Sequence, residues 1–153
     1  MLSLTSEYAL RALIYLTRHE EDWPIPGWQV ADVAHIPPKY LSKILGDLVR
    51  FGVLSSSPGK RGGFRLNRPA KRTKLFEILA PFESFERSRC PFGNGECSDD
   101  QPCNVHKKWK GVIEAEQRFL QKTSLYEIAR ELKSPTKTKK AKGMVKKRKK
   151  CSA

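Results

Sequence analysis

Apolar residues recur at helical intervals in six stretches of this chain, and two short runs between the third and fourth follow an extended rhythm instead. Leu10, Leu13 and Ile14 form one face of a first helix, Glu7 to Arg18, which Thr5 or Ser6 can cap; Glu7 suits its positive end. The run from Glu20 to Gly27, with Pro24 and Pro26, is a loop of breakers. A short helix follows, Trp28 to Ala34, burying Val30, Val33 and Ala34, and His35-Ile36-Pro37 makes a tight turn. A longer helix opens at Pro38, where a missing N–H costs nothing, and turns Leu41, Ile44, Leu45 and Leu48 inward. Gly52 supplies the left-handed residue that stops it.

Val53 to Ser57 and Gly63 to Leu66 read as two strands, joined by the glycine-rich basic loop Pro58-Gly59-Lys60-Arg61-Gly62. Leu75, Ile78, Leu79 and Phe82 then mark a fourth short helix with Thr73 as its cap. A long helix from Cys103 to Lys122 carries Val105, Trp109, Val112, Ile113, Glu116, Phe119 and Leu120 at helical spacing. Its apolar stripe is longer than a small core can cover, which predicts a partner helix and a homodimer. Ser124 to Glu127 fits a capping box opening a last short helix that ends near Leu132.

Helix, helix, then a hairpin with a basic tip is the winged helix-turn-helix order. The expected fold class is mainly α with a small β-hairpin wing, an α+β arrangement in which residues 1–85 bind DNA. A loop over 86–106 leads to a dimerisation helix and short terminal helix over 103–132. In such a fold Lys39, Tyr40, Ser42 and Lys43 project from the second helix of the pair into the major groove of double-stranded DNA. Lys60 and Arg61 at the wing tip enter a minor groove.

Charge extends this picture. The net charge is +14, but ten of the basic residues lie at or beyond Lys133, with no acid among them. Residues 133–153 therefore read as a disordered lysine-rich tail attracted to phosphates. No apolar run is long enough to span a membrane, and no export signal is visible, so a reducing cytoplasm is expected. No paired acid and base, phosphate-cradling loop or nucleophile motif points to an enzyme.

The candidate chemistry is concentrated in one stretch. Cys90, Cys97, Cys103 and His106 are separated by turn formers, among them Pro91, Gly93, Asn94, Gly95, Ser98, Asp99, Asp100 and Pro102. Such a segment packs no core and is ordered by whatever its thiolates bind. The fourth cysteine, Cys151, is an incidental thiol in the lysine tail. Three clustered cysteines make a poor disulfide framework, and gaps of six and five residues are wide for structural zinc. An iron–sulfur cluster tolerates wider spacing. Zinc and thiol-based redox sensing remain the alternatives.

Tyr8-Ala9-Leu10-Arg11-Ala12-Leu13, Tyr40-Leu41, Gly52-Val53-Leu54, Gly59 with Gly62-Gly63-Phe64, and the Cys90, Cys97, Cys103, His106 set together resemble the IscR/NsrR-like winged-helix regulators that carry iron–sulfur clusters. The resemblance covers residues 1 to about 132. It implies a homodimeric transcriptional regulator on an inverted-repeat operator, whose cluster senses iron, redox or nitric oxide status. Three cysteines and a histidine are similar to the branch holding a two-iron, two-sulfur cluster. Relatives with four irons use an acidic residue near the N-terminus, the place Glu7 occupies, so Glu7 is the alternative fourth ligand to His106 and a four-iron, four-sulfur cluster the alternative cofactor. Cys103 and His106, three apart on a starting helix, are expected to share a face. His35 is a more distant nitrogen, read as a turn residue or phosphate contact. The Cys90–Cys97 gap is one residue longer than in the IscR-like pattern, and Pro58 stands where many relatives carry a wing arginine.

Overall fold

The computed structural model describes residues 2–85, 92 and 99–132. Cys90, Cys97, Cys151 and the lysine-rich segment 133–153 lie outside the described residues.

Helix α1 (Leu4–Arg18) runs through the centre, with Ala9, Ala12, Leu13 and Leu16 fully buried. It starts one turn earlier than its apolar pattern predicts, and its cap is Ser3 rather than Thr5 or Ser6. Ser3 is extended, and its hydroxyl accepts a hydrogen bond from the Ser6 amide at 3.3 Å. Ser6 is itself buried and belongs to the first turn.

Helix α2 (Gly27–Ala34) packs on α1 and on the helix that follows it, and buries Val30 and Ala31. Val33, expected inside, is exposed: eight residues bury one narrow stripe, and that stripe is centred on 30–31. His35 turns left-handed at φ 55°, and the Ile36 amide closes the turn on the Ala31 carbonyl at 3.0 Å. Helix α3 (Pro38–Arg50) then buries Leu41, Ile44, Leu45 and Leu48, as its periodicity predicts. Gly52 follows at φ 73°, a conformation that favours glycine.

Strands β1 (Leu54–Ser57) and β2 (Gly63–Leu66) pair antiparallel, Leu54 opposite Leu66 and Ser57 opposite Gly63. On its other side, β2 meets the segment before α2. Ile25 and Phe64 exchange two backbone hydrogen bonds, at 3.0 and 2.8 Å. This bridge sews the wing to the helix pair.

Helix α4 (Leu75–Leu79) is preceded by Lys74 at the cap position. Thr73 does not cap it; it is buried, and its hydroxyl donates to the Pro69 carbonyl at 3.2 Å. Helix α5 (His106–Lys122) begins at His106 and not at Cys103, because a turn at Asn104–Val105 intervenes. Helix α6 (Leu125–Glu131) opens with the predicted capping box: Glu127 accepts from the Ser124 amide at 2.6 Å and its own amide donates to the Ser124 hydroxyl at 3.3 Å.

Two ties fix the C-terminal helices to the winged domain. Leu75 donates to the Thr123 carbonyl and Leu125 to the Thr73 carbonyl, at 3.1 and 2.9 Å. Arg18 Nε donates to the Ala129 carbonyl at 2.8 Å, docking α6 on α1. Helix α5 packs chiefly against α4 and leaves Val112 and Phe119 more than half exposed.

A third tie joins the end of α4 to the start of α1. Glu83 Oε1 accepts from the Ser3 amide and from the Ser6 hydroxyl, each at 2.6 Å. Burial pushes this carboxyl up, but the Ser6 and Ser3 hydrogen bonds outweigh it and hold it below the usual carboxylate range. A depressed carboxylate contributes stability that is present above its ordinary pKa and lost as pH falls through the folded value. The Glu83 contribution is therefore expected to disappear below about pH 4. At neutral pH, Glu83→Gln should cost about 2 kcal/mol, and the wild-type and variant unfolding curves should converge in acid.

Candidate nucleic-acid interface and metal centre

On α3, Lys39, Tyr40, Ser42 and Lys43 are all exposed, because the buried stripe at 41, 44, 45 and 48 occupies the opposite face. They are not equivalent. The Ser42 hydroxyl donates back to the Pro38 carbonyl at 2.9 Å. Tyr40 leans onto α1: its hydroxyl lies 2.6 Å from Thr5 Oγ1, and its ring meets the edge of Tyr8 at 5.6 Å between centroids. Lys39 and Lys43, one turn apart, are the exposed cations of its N-terminal half; at the other end exposed Arg50 is paired with Asp47.

Lys60 and Arg61 are exposed at the wing tip. The tip is closed by the Gly62 amide donating to the Gly59 carbonyl at 2.9 Å, with Gly59 at φ 99°. Behind it, Arg65 Nε donates to Ser55 Oγ across the strands at 3.1 Å, adding an exposed cation that strand periodicity alone did not single out. A further unanticipated feature is Trp28, 71% exposed at the start of α2.

Of the soft ligands, Cys103 and His106 are described. Cys103 is half-buried and precedes α5, so the two do not share a helix face; instead the His106 amide donates to the Cys103 carbonyl at 2.9 Å, folding one residue back over the other. The His106 ring is buried, 6% exposed, and its Nε2 lies 2.8 Å from Asp99 Oδ1. Lys110, first, and then His106 hold the Asp99 carboxyl below the usual range. An ionised carboxylate only accepts, so Nε2 carries the proton and the lone pair of a neutral ring sits on Nδ1. Lys110 Nζ reaches both Asp99 oxygens, at 2.9 and 2.6 Å, and locks the carboxylate in place.

This donor set fits a metal centre. Metal-bound histidines commonly donate their second ring N–H to a carboxylate, which fixes the ring and raises its basicity. Asp99, read from sequence as a turn residue, stands to His106 as such a carboxylate would. Glu7, the alternative ligand, is exposed in the first turn of α1 with Arg11 Nη2 3.6 Å from its carboxylate. His35 remains an exposed turn residue. A separate grouping of His19, Glu21 and Asp22 is largely solvent-exposed, and exposed acidic groups of this kind are common without an ion.

The helix pair, the outward lysines of α3 and the basic-tipped hairpin define a winged-helix DNA-binding protein. Residues 2–131 match the Rrf2 family, described as iron-dependent transcriptional regulators, and the chain belongs to that family. The HTH-type transcriptional regulator IscR of Xenorhabdus nematophila is 30% identical over 132 residues, covering 84% of this chain and 80% of its own. Among solved structures, IscR of T. potens superposes with a TM-score of 0.68 at 19% identity, over 85% of this chain and 86% of its own. CymR of B. subtilis, titled a global cysteine regulator, superposes at 0.73 with 20% identity, over 87% of this chain and 98% of its own. These two likenesses establish the fold. The relatives are transcriptional regulators, not enzymes, and this chain is a DNA-binding transcriptional regulator. No helix among the described residues is long and apolar enough to cross a membrane.

Proposed function

We propose that the protein is a homodimeric regulator whose affinity for an inverted-repeat operator is set by an iron–sulfur cluster held by Cys90, Cys97, Cys103 and His106. A two-iron, two-sulfur cluster is favoured over a four-iron one. The observation that carries this reading is the buried His106 ring, oriented by an Asp99 carboxylate that Lys110 clamps, one turn from Cys103. When bound, the cluster supplies a redox-active, iron-dependent crosslink that iron scarcity, oxidant or nitric oxide can remove.

The chain's own residues connect that site to DNA. Ahead of the cysteine stretch in sequence, Phe85 stacks on Phe76 of α4 and its carbonyl accepts from Gln117 of α5, while Glu83 grips Ser3 and Ser6 at the start of α1. The same turn of α1 carries Thr5 and Tyr8, which hold Tyr40 of α3. These contacts give the cluster state a route through Glu83 and α1 to the recognition helix. At the other end, α5 is tied through Thr123 to the residues that follow the wing. Exposed Val112 and Phe119 on α5 supply an apolar face for the second protomer. Dimerisation would place two copies of α3 in successive major grooves.

Lys39 and Lys43 read the major groove or its phosphates, Lys60 and Arg61 the minor groove, and residues 133–153 add non-specific attraction. Lys39→Ala with Lys43→Ala is expected to weaken operator binding at least about tenfold. It should also flatten the log–log salt dependence by about 0.9 for each phosphate no longer neutralised. Deleting 133–153 should instead weaken binding to all sequences alike. Unchanged affinity in the double variant would remove α3 from the interface. The zinc and thiol alternatives are decided by metal and sulfide analysis of protein purified without oxygen.

A further inference from the structure

Trp109 lies one turn into α5, three residues after His106. Its indole Nε1 is buried, with no hydrogen-bond partner among the described residues. A buried N–H without an acceptor is costly, so native proteins rarely keep one unless a bound group or an ordered water accepts it. Residues three apart on a helix are neighbours on its surface, which puts the base of Trp109 beside that of His106. Phe92, which lies between Cys90 and Cys97 in sequence, meets the Trp109 ring edge-on, centroids 5.6 Å apart and planes at 84°. The orphaned donor thus belongs to a ring that touches Phe92 and starts beside His106 at the head of α5.

We propose that the Trp109 indole N–H donates a hydrogen bond to a sulfur of the bound cluster, sulfide or thiolate, making Trp109 a positioning and potential-tuning residue of the sensor. The inference rests on the cluster reading above. Sulfur acceptors suit a lone N–H on an apolar ring, and N–H···S bonds stabilise the more negative, reduced cluster and so raise its potential. No bond is made or broken; the indole proton stays on nitrogen.

Anaerobically loaded wild type, Trp109→Phe and Trp109→His are to be compared by iron and sulfide content, visible spectrum and redox titration. Trp109→Phe is expected to load the same cluster with a midpoint shifted to more negative potential. The shift should reach about tenfold in the reduction equilibrium, or about 59 mV for one electron. Trp109→His, which keeps a ring N–H, should shift less. A second measurement needs no substitution: pulsed paramagnetic resonance of the reduced wild type, with 15N at the indole nitrogens, should detect coupling to a single indole. An unshifted midpoint in Trp109→Phe overturns the proposal, as does the absence of any indole coupling if that variant does not fold. Wild type that takes up no iron or sulfide overturns the cluster reading itself, and this inference with it.

Discussion

Gly63→Ala is expected to unfold the protein far more readily than its one added methyl suggests, with loss of about 3 kcal/mol and a melting temperature lower by roughly 10 °C. A Cβ at position 63 would stand 2.3 Å from both the carbonyl carbon and oxygen of Ile25 and 2.7 Å from the nitrogen of Pro26. All three are backbone atoms, so no side-chain rotation relieves the clash. Relief requires breaking the Ile25–Phe64 bridge, which forfeits two backbone hydrogen bonds and lifts Ile25, 1% exposed, from the core. The wing that carries Lys60 and Arg61 would swing away, and operator affinity should fall with stability. Gly46→Ala is the control. That glycine is helical and exposed with open space around its Cβ position, and the change should stabilise by about 1 kcal/mol. Thermal melts of the two variants should move in opposite directions; an unchanged melt for Gly63→Ala would contradict the close approach.

The second large effect concerns the proposed metal centre. Cys103→Ala is expected to abolish visible colour and reduce iron to background in anaerobically purified protein, while circular dichroism stays close to wild type. Cys103 is half-buried ahead of α5 and outside the core cluster, so its loss would remove a proposed ligand more than it removes packing. His106→Ala should have the same optical result. Asp99→Asn, which keeps shape but removes the charge that orients the His106 ring, should leave a cluster bound about 10–100-fold more weakly. Glu7→Gln should retain full colour. The reverse pattern, with Glu7→Gln bleached and His106→Ala coloured, would transfer the fourth ligand to α1.

Much of the fold was legible in the sequence because local signals agreed with packing. The 41, 44, 45, 48 stripe of α3, Gly52 at its end, and the Ser124–Glu127 box each correspond to one local physical requirement, and the structure meets all of them. The errors occurred where a residue answers to a distant partner. Ser6 has the chemistry of a cap but turns inward to Glu83, and so Ser3 takes the cap. Thr73 is similarly occupied by Pro69 and by the backbone bridge to Leu125. Val33 fits the apolar pattern, yet α2 is too short to bury a second stripe. At the candidate site, Cys103 and His106 were recognisable by residue type, whereas their support was not. Nothing in the spacing of Asp99, His106 and Lys110 announces a carboxylate bridging an imidazole and an ammonium, because the segment before α5 follows no regular period. Tyr40 was read as a DNA contact from its exposed helix position, and its anchoring by Thr5 and Tyr8 depends on how α3 crosses α1.

The most direct measurement is an anaerobic titration of operator DNA with the full-length protein before and after its cofactor is removed by chelation, with iron, sulfide and zinc quantified in each sample. The expected result is a coloured protein containing iron and acid-labile sulfide, whose operator affinity changes about 5- to 150-fold when the colour is lost. A colourless protein holding one equivalent of zinc, or a coloured one that binds the operator equally well in both states, would contradict the account.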